Sequence, residues 1–523
     1  MKERNFVTRL GKEFRVNAKI RGQLGRRQRR IERRLGKKRL ANADTPVFAA
    51  FNIHYEIGDR NGAVVHGGIG AFHLLAKRVG LIDAIDGRLH LLKIHLPYHE
   101  SDHVLNFAYN ALCDGTCLQD IELRRNDEVF LDALGAERIP DPTTAGDFCR
   151  RFGAADVSNL LDILNDVRKT VWARQPSEFL ELARIDMDGV LVETAGECKA
   201  GMDIASDGTW GYHPLIVSLA NTQEVLGVVN RPGNRPSHDG AAAEADRAVK
   251  ACLDGGFRNV RLRGDTDFSQ TKHLDRWTDD PRVSFVFGLD CTANRHFLAD
   301  ELPLMAWQPL VRPPQYEVQT VPRTKPERVK EKIVRQRGFE NIVLQGEDVA
   351  EMPYRPTACR KTYRLVVVRK NLSVEKGEAV LFADYRYFFD LTNDWDDTPA
   401  EVVLDANQRC NQENLNAQLK SGVRALYAPV DTLEGNWAYM VMTALAWNLK
   451  AWWALWPTET PRHGERHREE KRLLLGMEFK TFAAAFVRMP CQIVRTGRRL
   501  VYRLLSWNRW QPLFFRTFAQ LRC

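Results

Sequence analysis

Five carboxylates in this sequence stand where they could share metal ions. Asp186 and Asp188 close the run "LARIDMDG", and Asp265 and Asp267 fall at the end of "FRNVRLRGDTDF". Glu413 lies in the amide-rich stretch "QRCNQENLNAQLKSG", Gln408 to Gly422, with Arg409 four residues before it and Lys420 seven after it. Hard cations such as Mg2+ take carboxylate oxygens. Two of them about 4 Å apart, on either side of a phosphodiester, activate a water or 3′-hydroxyl and stabilise the leaving oxygen. Taken singly each motif is weak, because an aspartate at a strand end is commonly a turn or cap residue and a helical glutamate is commonly solvated. Arg409 and Lys420 are either solvated helix charges or phosphate contacts. The six amides around Glu413 would not compete for metal and could hydrogen-bond DNA.

Carboxylates gather only if rigid elements bring them to one edge. "LARIDMDGVLVET", "YHPLIVSLA" and "EVLGVVNRPG" predict three strands, with a turn at Asn221 to Gln223 between the last two. "DGAAAEADRAVKACLDGG" predicts a helix closed by Gly255 and Gly256, and the run ending at Asp265 a fourth strand. That order suggests a three-stranded meander followed by an α/β half. Between Leu302 and Arg386, proline-rich pieces alternate with β-like runs, which reads as an inserted, mostly β module. Helices resume at Thr398 and continue to the end, the tail segment "RMPCQIVRTGRRLVYRLL" being taken as a basic helix. Before the strands, "VFAAFNIHYEIGD" suggests a strand region and Ile69 to Val171 a helical one. Within the latter, Thr143 or Thr144 is the expected cap after a proline-marked loop.

The chain has 523 residues, beyond the usual limit of one core. Its first 40 residues hold sixteen Lys or Arg against three Glu, whereas the whole chain is only +9. Two clusters dominate: Arg26, Arg27, Arg29 and Arg30, then Arg33, Arg34, Lys37, Lys38 and Arg39. So dense a block repels itself unless a polyanion neutralises it, and it lacks the apolar face of a membrane-surface helix, so nucleic acid is the expected partner. The alternative is a solubilising tail. The charged N-terminus does not read as a signal peptide. "WAYMVMTALAWNLKAWWALW", Trp437 to Trp456, is long enough to span a membrane, but Asn448 and Lys450 within it favour a buried core helix. Ten cysteines without a dense framework read as reduced thiols of a cytosol.

The constellation resembles a DDE transposase of a bacterial insertion sequence, closest to insertion sequence family 1380. The resemblance rests on "DMD" (Asp186 to Asp188), "RPGN" (Arg231 to Asn234), "RGDTDF" (Arg263 to Phe268) and the spacing of Arg409, Glu413 and Lys420. It runs from about Leu182 to Trp456. It implies an α/β fold: an RNase H-like catalytic domain split by a mostly β insertion, between helical N- and C-terminal regions. The expected segments are a basic DNA-binding arm (1–45), a helical DNA-binding and dimerisation region (46–178), the two catalytic halves (179–300 and 385–460), the insertion (301–384) and a basic helical tail (461–523). Asp188, Asp265 and Glu413 would be catalytic and would bind two Mg2+ ions, for which Mn2+ can substitute, with Asp186 as a second candidate for the first ligand. Arg409, Lys420 and the basic arm would bind DNA. The implied partners are double-stranded transposon ends, target DNA and a second copy of the chain; no membrane is involved, and the implied setting is the bacterial cytoplasm and its nucleoid. Two departures stand out: Ala406 replaces the tyrosine expected three residues before Arg409, and Val190 a hydroxyl residue two after Asp188.

A rival uses the same acids. "DMDGVLV" also resembles the haloacid-dehalogenase type of phosphatase, with Asp186 as nucleophile and Asp188 as general acid. Ser269 and Gln270 stand where that family expects a further acid, and the Arg409, Glu413 and Lys420 spacing is left without a role. A third reading is a catalytically inactive, DNA-binding relative of a transposase.

Overall fold

The computed structural model describes residues 18–36, 62–95, 97–312, 344–375, 378–496 and 499–522. Within the basic segment, helix α1 (Ala18–Leu35) carries Arg26, Arg27, Arg29, Arg30, Arg33 and Arg34. Lys37, Lys38 and Arg39, and the strand expected around residues 47–59, lie outside the described residues. Arg27 turns inward, its guanidinium donating to the carbonyls of Leu504 (2.6 Å) and Ser506 (3.0 Å), while Arg26, Arg29, Arg30, Arg33 and Arg34 are exposed.

Helices fill the region from Ile69 to Trp172, among them α2 (Glu100–Leu112) and α3 (Ala154–Trp172). The cap expected at Thr143 or Thr144 is instead Asp141. Its carboxylate accepts from the Thr144 amide at 2.9 Å, and Pro142 fixes φ at the first helical position.

The strand carrying Asp186 and Asp188, β1 (Leu182–Gly189), lies inside a large mixed sheet. It pairs antiparallel with β2 (Leu215–Leu219), which pairs antiparallel with β3 (Glu224–Val229). The turn before β3 puts Gln223 at φ 59°. On its other side β1 runs parallel to β4 (Asn259–Gly264), and β4 parallel to β5 (Val283–Leu289). Parallel neighbours need a crossover; α4 (Ala241–Asp254) supplies one and packs on the sheet.

The β-like material after residue 301 forms β6 (Gln308–Pro309), β7 (Leu344–Tyr354), β8 (Tyr363–Glu375) and β9 (Glu378–Thr392). These strands extend the same sheet, whose order is β6-β7-β8-β9-β5-β4-β1-β2-β3. The joint is β9, which pairs along its length with β8 and, through Phe389 to Thr392, with β5. The boundary expected between 384 and 385 therefore falls inside one strand.

The segment around Glu413 is broken. α5 (Pro399–Gln408) ends before Arg409, α6 (Asn411–Ala417) follows, and a π-turn covers Gln418–Gly422. Bonds of the i to i−3 type, such as Glu413 N to Cys410 O at 3.2 Å, tighten the junction.

The apolar run near the end is α7 (Leu433–Leu455), buried from Gly435 onward. It lies along β3, the last strand of the sheet. Asn448 satisfies both the amide (2.9 Å) and carbonyl (3.0 Å) of Val225, and Trp447 donates to the carbonyl of Gln223 at 2.6 Å. An edge strand would otherwise expose unpaired backbone groups, so these polar residues are what makes the helix a sheet cover. Among the described residues no helix is long and apolar enough to cross a membrane.

The tail departs from expectation. "RMPCQIVRTGRRLVYRLL" holds two antiparallel strands, Cys491–Thr496 and Arg499–Leu504, the first pairing also with Ala63–Val64. Ile493 opposes Tyr502 and Val494 opposes Val501, β-branched and aromatic pairs that suit a hairpin better than a helix.

Candidate functional site

Asp188 stands at the carboxyl end of β1, half-buried, with Asn416 of α6 donating to its Oδ2 at 2.7 Å. Gly189 follows because space is lacking: a Cβ there would lie 2.6 Å from the His213 ring. Asp265 follows β4, its carboxylate accepting from the amide of Asp267 at 3.0 Å. Glu413 is exposed on α6, which buries Leu415 and Gln412 and so keeps the glutamate outward. Burial raises the Asp188 carboxyl to about 6 against the pull of Arg409, with the charges of Asp265 and Glu413 adding to the rise. Burial also raises Asp265, again opposed by Arg409 and reinforced by Asp267 and Glu413. Asp188 and Asp265 thus both feel the charge of Glu413, though the three come from segments far apart in sequence.

Asp186 is otherwise engaged. It is 1% exposed and held from both sides by Arg263, Nε to Oδ1 at 2.7 Å and Nη2 to Oδ2 at 2.9 Å. The two residues face each other in the parallel register of β1 and β4. Arg263 also donates to the Asp405 side chain and carbonyl, both at 2.9 Å, tying α5 to the sheet. Asp405 takes Arg184 and Arg261 as well, and these arginines hold its carboxyl below the usual range although burial opposes them. This buried network was not singled out from sequence. The only local signal is the arginine that precedes Gly264-Asp265.

A groove of about 780 Å³ opens beside the acids, and Glu413, Asp267 and Lys420 line it. Its far wall is the loop after "RPG". Buried Arg231 shapes that loop by donating to the carbonyls of His213 (2.8 Å), Ser237 (3.0 Å) and Asp239 (2.5 Å). His213 also lines the groove, its Nδ1 2.7 Å from the Arg235 carbonyl; sequence reasoning passed it over. Arg409 stands beside Asp265, its Nη1 3.8 Å from Asp265 Oδ2. Two of the amides expected to be free for DNA are not. Gln412 and Asn416 are buried, bound to Ser218 and Asp188, and fasten α6 to β1 and β2.

The chemistry of Asp188, Asp265 and Glu413 fits hard divalent cations. All are oxygen donors, and burial, with a smaller part from neighbouring acids, raises the Asp188 and Asp265 carboxyls, a cost that such a cation would relieve. They are not a finished coordination shell: among the described residues no three acids or other ligand side chains surround a common point. Thus Glu413 and Lys420 share the groove, Asp265 and Arg409 line a second recess, and Asp188 is held by α6. The arginines of α1 are elsewhere, its Arg27 docked on the C-terminal segment.

The profile of the family described as "Transposase DDE domain group 1" matches residues 59–523. The chain belongs to this transposase family. The match leaves out the whole basic segment, including α1, and takes in all nine strands of the sheet, the groove and the C-terminal hairpin. A piggyBac transposase, solved as a synaptic complex with hairpin DNA, is 11% identical to this transposase over 82% of this chain and 84% of that one, with a TM-score of 0.34. No curated protein matches.

Proposed function

We propose that this protein is a DNA transposase of a bacterial insertion sequence, closest to insertion sequence family 1380, that cuts the ends of its element and joins them to target DNA. The observation carrying this reading is that Asp188 and Asp265 end or directly follow two paired parallel strands, β1 and β4, and that Asn416 ties α6, the helix bearing Glu413, to Asp188. The order β3-β2-β1-β4-β5, antiparallel on one side of β1 and parallel on the other, supports an RNase H-like core, with β6 to β9 inserted between its second aspartate and its glutamate.

Two Mg2+ ions, or Mn2+ in their place, held by Asp188, Asp265 and Glu413, would supply activation of the attacking oxygen and stabilisation of the leaving one. The protein's own contribution is positioning. Asn416 holds Asp188 by its Oδ2. Arg263 fixes the strand ends through Asp186, and Arg409, beside Asp265, and Lys420, in the groove, would serve as cations for phosphate oxygens. Water would cut at the element's end, and the freed 3′-hydroxyl would attack target DNA in line.

The exposed arginines of α1 supply a sequence-independent hold on duplex DNA, and two copies of the chain would keep two ends together. Work on chromosomal DNA would put the protein in the cytoplasm with the nucleoid. The phosphatase reading asks Asp186 to be a free nucleophile, whereas both its oxygens are taken by a buried arginine. An inactive DNA-binding relative is a distinct case because it would bind end DNA without cutting it. The test is cleavage of duplexes bearing the inverted repeats that flank the gene. Nicking that needs Mg2+ and stops with a chelator supports the proposal; binding without cutting, Mg2+ present, overturns it.

A further inference from the structure

On the side of Asp265 and Arg409 away from the groove, the sheet has a second recess of about 400 Å³, within the size range of small-ligand sites. Its floor is β8 and β9, and its other walls are the ends of β4, β5 and α5. Lys370 and Arg386 face each other directly across β8 and β9 on the same sheet face as Phe388, which opposes Val368. Like charges directly opposed across strands are unfavourable unless something compensates them. Glu347 pairs with Lys370 at 3.2 Å, whereas Arg386 has no ion-pair partner among the described residues. Phe388 is 40% exposed, with Lys370 Nζ 4.6 Å and Arg386 Cζ 5.7 Å from its ring centre. An aromatic face flanked by two cations suits a base with its phosphate. Position 406, where the resemblance calls for a tyrosine, is a small alanine lining this recess.

Building on the transposase reading above, we propose that this recess receives one unpaired nucleotide of the DNA strand beside the cut, its base on Phe388 and its phosphate at Arg386 and Lys370. Asp265, Asp290 and Asp390 also line the recess, which disfavours a run of duplex backbone over a single phosphate held at the cations.

Binding can be measured on the full chain in chelator, where no cutting occurs, with an oligothymidylate of about twelve residues carrying one 2-aminopurine, and with a duplex of equal length. Phe388→Ala is expected to weaken single-strand binding about tenfold and abolish the quenching of 2-aminopurine, with duplex binding changed less than about twofold; Phe388→Trp should retain both. Arg386→Ala should weaken the single strand and lower its salt slope by about one. Single-strand affinity and quenching that survive Phe388→Ala, or an equal loss for the duplex, would overturn the proposal. Because no cleavage is read, a protein that fails to cut DNA but keeps the Phe388 dependence would refute the transposase reading and not the recess.

Discussion

Arg263 grips Asp186 with two parallel hydrogen bonds of 2.7 and 2.9 Å, and both side chains are about 2% exposed or less. The pair joins β1 to β4 directly behind Asp188 and Asp265, and Arg263 reaches on to Asp405 of α5. One buried guanidinium thus ties together the three elements that flank the acids.

Removing one partner of such a pair strands the other in the interior. Asp186→Ala and Arg263→Ala should each lower unfolding free energy by about 3–5 kcal/mol, the former nearer the low end because Asp405 still meets Arg263. Denaturant midpoints check this. The conservative Asp186→Asn should keep DNA cutting in the folded fraction, since Asp186 is a positioning residue; complete loss of cutting from a fully folded Asp186→Asn would reinstate it as a ligand.

Asp188 gives a pH signature. Its carboxyl is raised to about 6, above the ordinary value of 3.8, so its ionisation weakens the metal-free fold. That penalty is absent below the unfolded pKa, grows as pH rises through the interval up to about 6, and is complete above it. Asp188→Asn should therefore stabilise the metal-free protein at pH 7.5 by about 1–3 kcal/mol, and the gain should vanish toward pH 4. Thermal melts in chelator across that range provide the check; a gain independent of pH contradicts the assignment.

Asn416 restrains Asp188 from α6. Asn416→Ala should reduce cutting or Mg2+ affinity about 10- to 100-fold, as loss of an outer partner of a ligand does, with DNA affinity nearly unchanged. Equal losses of binding and cutting would mean that α6 itself had moved.

Deleting residues 1–40 removes α1 and its exposed arginines. Duplex affinity should fall, and the slope of log K against log salt should flatten by roughly 0.9 for each phosphate no longer neutralised. Gel-shift titrations over a salt series measure it, and an unchanged slope would make the segment a passive tail.

The strands β1 to β4 and helix α4 were legible because each is a short hydrophobic run between turn residues, and the acids mark where strands stop. Long-range pairing was less visible. The segment Cys491–Leu504 has helix-like apolar spacing, and its strand character depends partly on Ala63–Val64, more than 400 residues away. The inserted strands read correctly as β, but nothing local told that β9 would complete the central sheet against β5. Asp188, Asp265 and Glu413 were named from the resemblance to DDE transposases, while the groups that hold them were not. Gln412, Asn416 and Asp405 look like surface polar residues until the fold buries them.

The most direct test is Glu413→Gln, which keeps the shape of an exposed side chain and removes its charge. End-DNA cleavage with Mg2+ should fall by at least about a thousandfold while end-DNA affinity stays within about threefold of the parent protein. Normal cutting by Glu413→Gln would contradict the account.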